Sequence, residues 1–63
     1  MHIVEYTPNM LVECMKFKKV TNETLAKRTG LSSSFISKMR GGKVNPSIES
    51  LRKIGTVLGV KFL

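Results

Sequence analysis

The sequence predicts an all-α domain, a compact bundle of four to five short helices. Three observations carry that prediction. Thr7, Thr21, Ser32 and Ser47 each stand just ahead of a helix-forming stretch, where a side-chain oxygen can accept from an otherwise unpaired backbone N–H. Apolar residues then recur at helical spacing behind each of them. Glycines at Gly30, Gly41-Gly42 and Gly59 stand where helices must stop.

Taken in order, Ile3 to Tyr6 is apolar and β-prone, and residues 1–7 read as an N-terminal arm or short strand. Its simpler reading is a frayed terminus. Pro8 follows the Thr7 cap in the first turn, where a missing N–H costs nothing. Met10, Leu11, Cys14 and Met15 form one stripe of the first helix, which ends near Phe17 to Lys19. Thr21 caps the second, through Thr29, with Glu23 in its first turn and Lys27-Arg28 in its last, both favourable to the helix dipole. Ser32 caps the third, through Arg40, with Ile36 and Met39 on its buried side. Ser47 opens the last helix, where Ile48, Leu51, Ile54, Gly55 and Leu58 recur as a core-facing stripe. Val60 and Phe62 are expected to fold back on the core as a short tail.

A chain of 63 residues supports one modest core, and residues 1–63 are read as a single domain. With one cysteine and one histidine, neither an internal disulfide nor a Cys/His zinc site can form. No metal and no cofactor is expected, so stability must come from helix packing, from dimerisation, or from both. No apolar run exceeds three residues, and the N-terminus lacks the pattern of a secretory signal. A cytoplasmic protein without a membrane partner is expected.

The net charge of +7 is unevenly placed. Lys16, Lys18, Lys19, Lys27, Arg28, Lys38, Arg40 and Lys43 crowd one segment against a single acid, Glu23. Outside it Glu5, Glu13 and Glu49 balance Arg52, Lys53 and Lys61. A concentrated excess of this kind suits a phosphate backbone, although a solvated basic face has the same composition. Catalysis finds little support. The chain has no Asp, and Cys14 and His2 are its only residues of their kinds. Cys14 reads as a small buried hydrophobe and His2 as exposed and inert. No catalytic residue and no small-molecule substrate is expected.

Thr21 to Arg40 places two short helices around a turn containing Gly30, a helix-turn-helix pattern. The run from Thr21 to Lys43, with Asn45-Pro46-Ser47, Leu51, Ile54 and Leu58-Gly59-Val60, resembles the phage repressor and Cro (XRE-type) DNA-binding family over residues 10 to 60. The resemblance implies a lambda-repressor-like bundle with the helix-turn-helix over residues 21–40. It implies that Ala26 is the small residue where the motif's helices touch, that Gly30 makes the turn, and that Leu31, Ile36 and Met39 anchor the recognition helix. Base contacts then fall to Ser33, Ser34, Ser37 and Lys38, at i, i+1, i+4 and i+5. Short hydroxyls discriminate bases weakly, whereas Lys38 favours guanine O6 and N7. Phosphate contacts fall to Asn22, where the family commonly has Gln, and to Lys43, Lys18, Lys19 and Arg40. Phe35 is expected to pack partly under its helix.

The chain departs from the family at two places. Many members pair an Arg late in the first helix with a Glu ending the recognition helix; Met15 and Arg40 stand there instead. Arg40 is left without that acid and is expected to reach solvent or phosphate. A glycine usually precedes the second helix, and Lys19 stands near that place. The function implied is a sequence-specific transcriptional regulator, a repressor that binds a short palindromic operator in double-stranded DNA as a homodimer, of bacterial or phage origin. The alternative is a protein-interaction module on the same fold, an antitoxin-like or anti-repressor-like binder, with the Ile3 to Tyr6 arm pairing strand to strand with its partner.

Overall fold

The computed structural model describes residues 2–63; Met1, part of the expected arm, lies outside them. Four helices, α1 (Pro8–Lys18), α2 (Asn22–Thr29), α3 (Ser33–Arg40) and α4 (Ile48–Leu58), are framed by two short strands, β1 (His2–Val4) and β2 (Val60–Phe62). Each helix begins where local chemistry directs. Thr7, Thr21, Ser32 and Ser47 accept from the backbone N–H groups of Met10, Thr24, Phe35 and Ser50 at 3.0–3.2 Å. Such caps contribute about 1 kcal/mol each. Gly30 and Gly59 close α2 and α4 in the left-handed conformation.

The core is one cluster. Leu11 and Met15 enter it from α1, Leu25 from α2, Ile36 and Met39 from α3, Ile54 and Leu58 from α4, and Val60 and Phe62 from β2. Cys14, Ala26, Leu31 and Phe35 pack against its edge, half-buried. Ile48 is a correction to the expected stripe: it occupies the first helical position of α4 and is 76% exposed. The turn of α4 that faces the core begins at Leu51.

The N-terminal segment forms the short strand that the sequence allowed, and the frayed reading is corrected. Far from fraying, β1 pairs in parallel with β2, in the register His2↔Val60, Ile3↔Lys61 and Val4↔Phe62. Bonds from Leu63 N to Val4 O and from Tyr6 N to Leu63 O, both 2.9 Å, extend the ladder. Tyr6 and Phe62 meet edge to face at 5.6 Å. The Tyr6 hydroxyl is shielded from solvent without a hydrogen-bond partner, and burial raises its pKa above the ordinary 10.0. The folded state therefore holds that proton more tightly than the unfolded chain. The stability linked to it is complete below the unfolded pKa and is lost as pH rises through the folded one. Tyr6→Phe keeps the ring contact and removes an unpaired hydroxyl. It is expected to leave stability at neutral pH unchanged or slightly higher, and to reduce the loss at about pH 11. Urea midpoints of both proteins at the two pH values check this.

Lys19 is the one non-glycine residue with positive φ, 56°, among the described residues. It closes α1 with its N–H on Lys16 O at 3.1 Å, while the Val20 N–H reaches Met15 O at 2.9 Å. The loop thus keeps the geometry that glycine gives it elsewhere, at a steric cost of about 1 kcal/mol. Lys19→Gly is expected to raise stability by up to about 1 kcal/mol in chemical denaturation.

Candidate nucleic-acid interface

The position of α3 follows from which of its side chains the core takes. Ile36 and Met39 are 0% exposed, so the opposite side of the helix must face outward. Ser33, Ser34, Ser37 and Lys38 are all exposed there. The expected base-contacting set is therefore a single continuous strip along one helix. Ser32 serves as the cap, through its bond to Phe35 N at 3.0 Å.

The turn that sets α3 against α2 is fixed by more than Gly30. The buried Thr29 hydroxyl donates to Leu25 O at 2.7 Å and accepts from Leu31 N at 3.2 Å. It thereby ties the last turn of α2 to the first residue after the glycine. Nothing in the sequence marks Thr29 for this role, because threonine at a helix end is equally at home exposed. At the other end, Gly42 N bonds Met39 O at 3.1 Å and Lys43 N bonds Lys38 O at 2.9 Å. That folded-back turn holds Lys43 close behind the C-terminus of α3.

Two expected phosphate residues meet each other. The Arg40 guanidinium donates to Asn22 Oδ1 at 2.6 Å, joining the last residue of α3 to the first of α2. Arg40 thus finds a neutral acceptor where the family pattern supplies an acid. Met15, 2% exposed, fills with packing the place of the family's arginine. The bond uses one Asn22 oxygen and one guanidinium nitrogen, so the Asn22 amide and the other Arg40 N–H groups remain available. A signal existed in the sequence only as a vacancy, an arginine whose usual partner was missing.

Lys19 and Lys43 are exposed. Lys18 lies apart from the Asn22–Arg40 pair: its ammonium sits 5.8 Å from the Phe17 ring centre and beside Gly59 at the end of α4. The ion pair formed among the described residues is Lys53–Glu49 at 3.6 Å, on α4, outside the basic segment. The excess charge between Lys16 and Lys43 is therefore not cancelled by contact.

Residues 10–62 match the family model described as the Cro/C1-type HTH DNA-binding domain. The chain belongs to that family. No curated protein and no solved structure matches it significantly. As a Cro/C1-type domain it is a DNA-binding helix-turn-helix module. This Cro/C1-type domain holds, among the described residues, no cluster of His, Cys or Glu able to ligate a metal. None of its described helices is long and apolar enough to cross a membrane.

Proposed function

We propose that the protein is a cytoplasmic transcriptional repressor, encoded by a bacterium or phage, that binds a short palindromic operator as a homodimer and catalyses nothing. Each copy lays α3 in the major groove. Ser33, Ser34 and Ser37 read bases through water, methyl contacts and groove shape, and Lys38 reads guanine. Asn22, Lys19, Arg40 and Lys43 hold phosphates on either side, and Lys18 adds to the attraction. The observation that carries this reading is the division of α3 into a fully buried Ile36–Met39 side and an exposed serine-lysine side. Two-fold pairing follows from reach: one short helix contacts few bases, and half-sites about 34 Å apart on one face of the duplex multiply affinity.

Selection of bound sites from random duplexes is the test, with inverted half-sites as the expected result. On the selected site, affinity is expected to fall at least about tenfold between about 50 and 200 mM salt. Lys43→Ala should weaken all sequences alike and lower the salt slope by about one. Lys19→Gly should weaken binding while stabilising the fold, so that one position trades stability for charge. Recovery of no sequence, with salt-insensitive capture of a protein instead, would favour the interaction-module reading.

A further inference from the structure

The parallel register decides which strand residues face outward. Partners in a parallel pair share a face. Val60 and Phe62 are buried and Val4 is half-buried, so these point inward. Ile3 and Lys61 therefore point outward together. The two bonds that flank Leu63 place Glu5 opposite it, one step further along the ladder. The outer face thus carries four side chains at the corners of a rectangle: Ile3 and Lys61 at one end, Glu5 and Leu63 at the other. Glu5 and Lys61 are exposed, while Ile3 and Leu63 are 66% and 68% exposed.

Its chemistry is divided by diagonal. Ile3 and Leu63 lie on one, Glu5 and Lys61 on the other. A copy of this face turned by half a revolution about the Ile3–Leu63 diagonal sets each apolar residue against its own counterpart. The same turn brings Glu5 over Lys61 of the second copy, and Lys61 over its Glu5. With strands about 4.8 Å apart and two residues spanning about 6.6 Å, the strands of the two copies then cross steeply, close to the orthogonal class of sheet packing. The patch is self-complementary in charge and in the placement of its apolar residues.

We infer that the outer face of the β1–β2 sheet is the docking surface for a second copy of this chain, with Ile3 and Leu63 at its centre and two reciprocal Glu5–Lys61 pairs across it. The inference rests on the homodimer reading above and gives that dimer its surface. One charge of each sign makes the face a poor match for nucleic acid, whose charge suits the segment from Lys16 to Lys43. The sheet packs on α4, whereas α3 packs on α1 and α2, so a dimer formed here leaves both recognition helices uncovered. Exposed Ile48 lines the groove between α4 and β2 together with Leu51 and Leu63, and extends the apolar patch beyond the strands.

Sedimentation velocity over a concentration series, without DNA, tests this on the wild type, Glu5→Lys, Lys61→Glu and an equimolar mixture of the two variants. Wild type is expected to self-associate. Each variant alone opposes like charges twice across the interface and should associate at least about tenfold more weakly. In the mixture the reciprocal pairs return, and association should recover. A general charge effect would instead strengthen association of Lys61→Glu, which lowers the net positive charge. Wild type that stays monomeric overturns the homodimer reading and this inference with it. Wild type that associates while the variants match it overturns the docking face alone, as does weakening in both variants without recovery in the mixture.

Discussion

Gly55→Ala is expected to destabilise the protein by about 2 kcal/mol or more, against the sign that helix propensity gives. Gly55 lies on the buried side of α4, and a methyl group there would overlap the Val60 carbonyl oxygen. The obstruction is backbone, so no rotamer change relieves it. β2 would have to move off α4, and β1, which is held in place by β2, would move with it. Alanine recovers about 1 kcal/mol through its better helix propensity, while forced overpacking typically costs about 1–3 kcal/mol and a backbone clash more. For a domain of this size the net change corresponds to a fall in Tm of about 10 °C. Thermal and urea unfolding measure it directly. An unchanged or higher Tm would mean that α4 and β2 do not approach as closely as described, and the terminal sheet would lose its support.

The same region marks where the sequence stops being legible. Helix starts were readable because a cap is local: Thr7, Thr21, Ser32 and Ser47 each act on an N–H three residues away. The sides of α3 were readable for a related reason, since a period of 3.6 separates Ile36 and Met39 from the serines without knowledge of what they pack on. Ile48 shows the limit of periodicity. It continues the α4 stripe by one turn, yet at the first helical position it stays 76% exposed. The β1–β2 ladder joins the two ends of the chain, and three residues of alternation in each strand cannot announce so distant a partner. The Asn22–Arg40 bond was hidden in the same way, because its members stand eighteen positions apart on different helices. Lys19 was legible as an anomaly, while its left-handed conformation was not. Local chemistry thus marked the exposed serine-lysine strip of α3, and contacts distant in sequence determine what braces it.

Replacement of Lys38 by glutamate is expected to produce the largest functional loss, about a hundredfold or more in affinity for the selected operator. Lys38 is exposed near the C-terminal end of the α3 strip, where the proposed function sets its ammonium against guanine in the groove. Reversal removes that contact, worth about 1–3 kcal/mol of discrimination, and sets an anion between phosphates that the protein must still approach. Lys38→Ala removes the contact without adding repulsion, so it should lose less affinity and chiefly flatten base preference at one position. A loss of net charge would also slow association, and that contribution needs its own control. Lys53→Glu changes the charge by the same amount on α4, outside the basic segment, at an exposed residue that pairs with Glu49. It should shift affinity severalfold at low salt and little at high salt, because screened attraction is all that it touches. The Lys38→Glu deficit should persist in its base-specific part as salt rises, which titration of operator and scrambled duplexes at two salt concentrations would resolve. Equal losses from the two reversals would mean that Lys38 acts only through the field of the whole molecule, and the groove-facing assignment of α3 would fail with it.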